Sequence, residues 1–99
     1  MPKPIMWSPQ SEKDLEKILD YLAVKWDASV SIKFLDLIDR LVGQISGNPK
    51  QYPLIHKQLN IRKCVITKHN SLYYRNKRSI IELLRIYDNR QDPVKLEFR

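Results

Sequence analysis

The hydrophobic period of this chain changes near its middle, and that change limits the folds available to it. Two consecutive segments carry apolar residues at three- and four-residue intervals, which predicts two amphipathic helices. Residues 61–67, 72–76 and 79–87 are instead rich in β-branched and aromatic residues, which indicates extended strands. The helical positions are Leu15, Ile18, Leu19, Leu22, Ala23 and Trp26, then Val30, Phe34, Leu37, Ile38, Leu41 and Ile45.

Local signals predict where the two helices begin and end. Ser8 offers an N-cap hydroxyl, and Pro9 suits the first helical position because its missing N–H has no helical partner there. Asp27 can cap the second helix directly after the first, and the Gly-Asn-Pro sequence at 47–49 ends it. We therefore expect a tight helical hairpin whose apolar faces, including Trp26, are buried.

The remaining segments complete an α+β fold. Residues 5–7 are apolar and flanked by prolines, which fits a terminal strand, whereas residues 50–60 lack a period and are interpreted as an irregular connection. The predicted order is β-α-α-β-β-β: an N-terminal strand, the helical hairpin packed on one face of the sheet, and a three-stranded antiparallel meander. The last strand should be central, with Ile81 and Leu83 on one side and Ile80, Leu84 and Ile86 on the other.

Length and composition place the chain among compact globular proteins. A chain of 99 residues buries about two-thirds of its unfolded surface, so we expect a single domain over residues 1–99. It has neither an apolar run long enough to cross a membrane nor the apolar core of a secretory signal, so the expected location is the cytoplasm. The single cysteine, Cys64, lies in a strand-like run and is interpreted as a small core residue.

The positive charge is concentrated in the C-terminal half. Residues 1–54 carry seven bases and seven acids, whereas residues 55–99 carry eleven bases and four acids and so account for the whole net charge of +7. This asymmetry favours an anionic partner, either nucleic acid or an acidic protein segment, over a basic surface without a specific partner.

Most familiar catalytic sites have no counterpart in the sequence. The two glycines, Gly43 and Gly47, fall at a helix end and cannot form a phosphate-binding loop, and no His, Asp and Glu cluster has metal-ligand spacing. We therefore expect no metal and no cofactor. His56 and His69 could act as general acid and base in RNA cleavage, but both fall in predicted loops, where solvated or locally bonded histidines are the favoured interpretation.

A basic and aromatic group of residues follows the predicted meander. Guanidinium groups bind phosphates or carboxylates, and tyrosines stack on bases or fill pockets, so these side chains are candidates for contact with a target or partner. Residues two apart in a strand share a face of the sheet. Arg85 and Tyr87 should therefore share one exposed side, and Arg62 should share a side with Cys64. Alternatively, the tyrosines belong to the core and the arginines only solvate the sheet. The candidate binding residues are Arg62, Lys63, Arg75, Arg85, Tyr87 and Arg90.

Two stretches of the chain resemble the RelE/ParE toxins of bacterial type II toxin-antitoxin modules. The first is WSPQSEKDLEKILDYL, which is similar to the family's strand-to-helix start. The second, IRKCVITKHNSLYYRNKRSIIELLRIYDNRQDP, is similar to its meander ending in an Arg, Asp-Pro signature. Together they cover nearly the whole chain in the predicted order of elements.

The resemblance implies a growth-inhibiting toxin of a plasmid-stabilisation type of module, neutralised by an acidic antitoxin that wraps around it. Members of the family differ in target. ParE-like members bind DNA gyrase and trap its cleaved complex, whereas RelE-like members cleave mRNA on the ribosome with basic residues and a tyrosine instead of a metal. A third possibility is an inactive member that acts only as an antitoxin-binding regulatory partner.

Matching the nuclease residues to this chain favours the ParE-like activity. The RelE lysine pair falls on Arg62 and Cys64, and the arginine of the next strand falls at about Ser71. An arginine after the last strand matches Arg90, but the tail tyrosine has no counterpart, because Phe98 stands near its place. A nuclease would therefore rely on Arg62 and Arg90 alone, so the resemblance implies a non-catalytic gyrase poison.

The charges at the end of the last strand, Asp88, Arg90 and Asp92, are expected to form local hydrogen bonds before Pro93.

Overall fold

The computed structural model describes residues 2–91, 96 and 98 and confirms the predicted α+β architecture. One five-stranded sheet has the strand order β1-β5-β4-β3-β2, and the two helices pack on one of its faces. The elements are β1 (Ile5–Trp7), α1 (Pro9–Lys25), α2 (Ala28–Gly47), β2 (Leu54–His56), β3 (Ile61–Val65), β4 (Asn70–Asn76) and β5 (Ile81–Asp88).

Both predicted helix caps are present. The Ser8 hydroxyl accepts a hydrogen bond of 3.1 Å from the Ser11 backbone N–H and donates one of 3.0 Å to the Leu84 carbonyl of β5. Asp27 accepts hydrogen bonds from the backbone N–H groups of Ser29 and Val30, at 2.8 and 3.2 Å. The Ser8 hydroxyl thus satisfies an unpaired donor of α1 and also fixes the start of that helix to the sheet.

The sheet is mixed, not a strict meander. Strands β3, β4 and β5 form the predicted antiparallel meander, but β1 runs parallel to β5 along its outer side. The interpretation of residues 50–60 as an irregular connection is wrong at Leu54–His56, because these residues form β2 against β3. Leu54 and Ile55 are 42% and 45% exposed on this short edge strand, so no alternation of buried and exposed residues marked it in the sequence.

A β-bulge in β5 changes which side chains face the helices. Tyr73 lies opposite Arg85 and Tyr74 lies opposite Leu83, so one residue of β5, Leu84, has no counterpart on β4. An extra residue reverses the side-chain alternation beyond it. Ile86 consequently joins Leu83 in the helix-side core, and its predicted position on the opposite side is wrong.

The sheet has apolar residues on both faces. The larger cluster lies under the helices and includes Phe34 and Ile38 of α2 together with Leu72, Tyr74 and Leu83. A smaller cluster lies on the opposite face.

Trp26 belongs to neither cluster and is 66% exposed, so its predicted burial is wrong. It follows the last residue of α1 and serves as the C-cap of that helix. No helix in the described part of the chain is long and apolar enough to span a membrane.

Candidate binding surface of the sheet

The face of the sheet that points away from the helices carries four of the six candidate residues. Strand register places Lys63 and Arg85 on either side of Tyr73, and Ile61 and Glu82 on either side of Arg75. We call this surface, formed by Ile61, Lys63, Tyr73, Arg75, Glu82, Leu84, Arg85 and Tyr87, the open sheet face.

The centre of the open sheet face is apolar and covered. Leu96 and Phe98 pack against the cluster of Ile61, Tyr73, Leu84 and Tyr87, and the rings of Phe98 and Tyr73 lie 5.3 Å apart. Burial raises the pKa of Tyr73, with a smaller contribution from the neighbouring Tyr87. The Tyr73 hydroxyl therefore stays protonated at neutral pH.

Cations surround this apolar centre and are engaged within the chain. The Lys63 ammonium lies 6.0 Å from the centroid of the Tyr73 ring. Arg75 donates from Nε to the Leu59 carbonyl at 3.0 Å, and its Nη1 lies 3.5 Å from Glu82. Lys77 approaches the same Glu82 oxygen to 3.3 Å, so two cations neutralise a carboxylate that is largely withdrawn from water.

Arg85 connects the sheet to α1 through Asp14. Its Nε and Nη2 donate to the two carboxylate oxygens at 2.7 and 3.2 Å, and the Ile86 backbone N–H donates to the same carboxylate at 3.0 Å. The Arg85 guanidinium also lies 5.7 Å from the Tyr87 ring. Arg85 and Tyr87 share a side as predicted, but Tyr87 is only 7% exposed, so the expectation that this side is exposed is wrong at Tyr87.

Arg62 lies on the other face of the sheet from Lys63. It shares the helix-side face with Cys64, as predicted, and its Nη1 donates to the carbonyls of Lys50 and Tyr52 at 3.2 and 2.7 Å. Its Nε is buried without a hydrogen-bond partner in the described part of the chain. The sequence proposed both Arg62 and Lys63 as candidate contacts, but the structure assigns Arg62 to holding the segment that precedes β2.

Arg90 is more exposed than Arg75 and Arg85, the other two candidate arginines that form ion pairs. Its side chain is 65% exposed, and it donates from Nε and Nη2 to Asp88 at 3.0 and 2.8 Å, while its backbone N–H donates to Asp88 at 2.9 Å. These bonds lower the pKa of Asp88 to about 2. The expected local hydrogen bonds are confirmed for Asp88 and Arg90, whereas Asp92 and Pro93 lie outside the described residues.

The Asp88 pair predicts a specific dependence on pH. Because the folded pKa of Asp88 is about 2 and the ordinary value is 3.8, this carboxylate contributes stability above pH 4 and loses it as the pH falls toward 2. Asp88→Asn should therefore lower stability at pH 6, and most of this deficit should be lost at pH 2. The measurement is urea unfolding at both values, with Asp36→Asn on the exposed side of α2 as the control. An equal deficit for Asp88→Asn at both values would contradict the assignment.

A family model supplies the identification. The model described as the ParE toxin of the type II toxin-antitoxin system, parDE, matches residues 5–93. The chain belongs to the ParE toxin family. It is therefore a toxin of a type II toxin-antitoxin system, and membership implies a cognate antitoxin as its partner.

Solved structures have the same fold as this ParE-family toxin. A chain of the chromosomal ParDE toxin-antitoxin system from P. aeruginosa superposes with a TM-score of 0.74 at 20% identity, covering 87% of this chain and 95% of that one. A YoeB/ParE toxin from Agrobacterium tumefaciens superposes with a TM-score of 0.62 at 17% identity, covering 87% and 98%. No curated protein matches the sequence.

The two histidines and the single cysteine of the toxin lie away from the centre of the open sheet face. The Nδ1 atom of His56 accepts the Leu59 backbone N–H at 3.2 Å, and His69 lies exposed in the turn between β3 and β4. Burial raises the pKa of the Cys64 thiol, which is fully buried. In the described residues no group of His, Cys, Asp and Glu is arranged to hold a metal ion.

Sequence reasoning missed two features of the toxin. Asp14 was assigned only to the positive end of α1, although its position directly before Leu15 in the helical period places it near the buried face. A groove of about 590 Å³ beside α1 was also missed. Its signal in the sequence is a stripe on one side of the helix, Lys17, Tyr21 and Lys25, whose members are four residues apart.

Proposed function

We propose that this toxin is a ParE-like poison of DNA gyrase that acts by binding and carries out no chemistry of its own. The toxin would act in the cytoplasm, where gyrase works. Its antitoxin partner would be acidic, which suits the toxin's net charge of +7. The proposal treats residues 1–99 as one toxin domain.

The main support for the proposal comes from the residues that stand at the positions matching the catalytic residues of RelE-like nucleases. Cys64 stands at one of them and is fully buried on the helix side of the sheet. Ser71 stands near a second, is fully buried, and donates a hydrogen bond to Asn89 at 2.8 Å. Phe98, near the third, packs on Tyr73 and has no ionisable group.

Cleavage of RNA without a metal needs a base for the 2′-hydroxyl and a cation or acid for the leaving oxygen. Arg62 cannot supply the cation without releasing the Lys50 and Tyr52 carbonyls. Arg90 remains reachable, but it stands beside Asp88, whose negative charge opposes the approach of a phosphate. These contacts support recognition over cutting.

Within this proposal Arg90 makes the principal contact with gyrase. Its guanidinium lies at the end of β5, is mostly exposed, and is held in one orientation by Asp88. Ordering a long side chain before binding reduces the entropy lost in the complex. Lys63 and Arg75 at the edge of the open sheet face are proposed as secondary contacts, whereas the proposed contribution of Arg62, Arg85 and Tyr87 is to shape the surface.

The test is a gyrase cleavage assay with purified toxin, gyrase, ATP and supercoiled plasmid. The toxin should accumulate linear plasmid after detergent and protease treatment. Arg90→Ala should need about tenfold more toxin for the same yield, as expected for the loss of one charged interface contact. Arg78→Ala, an exposed arginine in the turn before β5, is the matched control and should behave like the parent.

Two other outcomes would assign the toxin differently. Gyrase left unaffected, together with cuts at codon boundaries of translated mRNA, would replace the gyrase target by the ribosome and make the toxin an endoribonuclease. Neither activity, together with normal growth on induction, would leave a regulatory partner of the antitoxin. Either result rejects the proposal.

A further inference from the structure

The sheet has two open edges, β1 on one side and β2 on the other. Among the residues that the structure describes, no further strand lies beyond either of them. The backbone N–H and C=O groups on the outer side of an edge strand can pair with a strand of another chain. Each of these strands has three residues, so such pairing would form only a few hydrogen bonds.

Apolar and acidic side chains lie together beside β1. A groove of about 360 Å³ is lined by Trp7 of β1 and by Leu15 and Leu19 of α1. Glu12 and Glu16 also line it; both are exposed, and neither forms an ion pair in the described part of the chain. We call the surface formed by these five residues the β1 edge. It presents unpaired negative charge on a protein whose net charge is +7.

Apolar and basic side chains lie together beside β2. Leu54 and Ile55 of β2 and Leu59 of the following turn are exposed. Lys50 precedes them and Lys57 lies among them; both lysines are exposed and form no ion pair within residues 2–91. We call the surface formed by these five residues the β2 edge. It combines exposed aliphatic groups with unpaired positive charge.

The charges of the toxin are therefore separated across the sheet. Residues 40–81, which include β2, β3 and β4, carry nine bases and no acid, whereas α1, which follows β1, carries four acids and three lysines. In the strand order β1-β5-β4-β3-β2 the two outer strands are four spacings apart, about 19 Å. The sheet thus has a negative apolar surface at one end and a positive apolar surface at the other.

We infer that the β1 edge is a docking site for the β2 edge of a second copy of this toxin, so that the sheet continues from one copy into the next. The charges select this pairing. Two β1 edges would oppose glutamates to glutamates, and two β2 edges would oppose lysines to lysines, whereas unlike edges bring opposite charges together. Pairing of unlike edges also covers exposed apolar groups on both partners.

The contact is heterologous and weak. Because the two surfaces differ, each copy keeps a free edge, and the contact extends into open chains instead of closing into a dimer. A three-residue strand is about 10 Å long, which places the contact below the roughly 1,200 Å² of buried surface typical of stable complexes. We expect a dissociation constant on the order of 10⁻⁴ M. The inference does not depend on which target the toxin has.

Sedimentation velocity of the purified toxin over a dilution series tests the association. At about 5 µM the toxin should be monomeric, and at about 500 µM its weight-average mass should reach at least about twice the 11.8 kDa of the monomer. Raising the salt from about 100 to about 500 mM should reverse most of this rise, because it screens the opposed charges. A monomer at every concentration would overturn the inference.

Charge reversal at each edge tests which surfaces meet. The β1-edge variant, Glu12→Lys, Glu16→Lys, and the β2-edge variant, Lys50→Glu, Lys57→Glu, should each self-associate at least about tenfold more weakly than the parent. Mixed in equal amounts, the two variants should associate about as strongly as the parent, because each reversed edge then meets a complementary one. Recovery in the mixture also shows that both variants are folded.

Matched variants control for net charge. Asp36→Lys, Asp39→Lys on α2 makes the same charge change as the β1-edge variant, and Lys68→Glu, Arg78→Glu in two turns makes the same change as the β2-edge variant. Both lie outside the two edges and should stay within about threefold of the parent. Losses equal to those of the edge variants, or no recovery in the mixture, would refute the assignment of the edges.

Nuclear magnetic resonance locates the contact along the backbone. Amide signals of residues 5–7 and of residues 54–56 should both shift as the toxin is concentrated from about 50 to about 500 µM, whereas those of β4, in the interior of the sheet, should not. Shifts in only one of the two outer strands would indicate a contact between like edges and would reject head-to-tail docking.

Discussion

Asp14→Ala should destabilise the toxin by about 2–4 kcal/mol, the largest effect expected of any single charged residue in the described chain. The substitution leaves the Arg85 guanidinium, 20% exposed, without its carboxylate and leaves the Ile86 backbone N–H without an acceptor. For a chain of 99 residues this loss corresponds to a melting temperature lower by about 10 °C or more. Urea unfolding and thermal denaturation would both measure it.

Two matched variants make the Asp14 result specific. Asp20→Ala removes an exposed carboxylate from the same helix and should change stability by less than about 0.5 kcal/mol. Asp14→Asn retains an oxygen that can accept the Ile86 N–H but loses the ion pair, so its stability should fall between those of the parent and Asp14→Ala. If Asp14→Ala were no less stable than Asp20→Ala, the pair would not hold α1 to β5.

Tyr74→Ala should destabilise the toxin by about 3–5 kcal/mol, as expected for a large aromatic side chain removed from a core. Tyr74 is fully buried in the centre of the sheet, its ring meets Tyr52 edge to face at 6.5 Å, and its hydroxyl donates to the Pro49 carbonyl at 2.6 Å. One side chain therefore links the core to the segment between α2 and β2. The measurement is urea unfolding at pH 7, with the m-value compared with that of the parent.

The hydroxyl and the ring of Tyr74 can be separated. Tyr74→Phe keeps the ring but leaves the Pro49 carbonyl without its donor, so a loss of about 1–2 kcal/mol is expected. Tyr21→Ala, which truncates an exposed tyrosine on α1, should cost less than about 1 kcal/mol. Equal losses for Tyr74→Ala and Tyr21→Ala would show that the sheet centre tolerates a cavity.

The parts of the fold that were predicted correctly rest on short-range physics. Each helix was defined by a period of 3.6 residues and by a cap whose partners lie within three residues of it, as at Ser8 and Asp27. The meander was visible because its strands are rich in β-branched and aromatic residues and are joined by short turns. The same short range explains the local bonds of Asp88 and Arg90.

The features that were missed depend on residues far apart in the sequence. Strand β2 exists only because β3 lies beside it, and the bulge at Leu84 exists only in the register of β5 against β4. The pair of Asp14 and Arg85 joins residues 71 positions apart. No local pattern encodes such a contact, since its energy arises only when the helix has packed against the sheet.

Local patterns predicted both helices with their caps, four of the five strands and the concentration of positive charge in the second half, because each of these follows from composition or from neighbours along the chain. The resemblance of its two long stretches identified the family. The cations that remain available to a partner could be identified only after folding had paired the others. The tertiary structure showed that Arg62 holds backbone carbonyls, that Arg85 is held by Asp14, and that Arg90 remains at the surface. Whether an arginine is available to a partner depends on the groups that folding brings beside it, and for Arg62 and Arg85 these groups come from other elements of the chain.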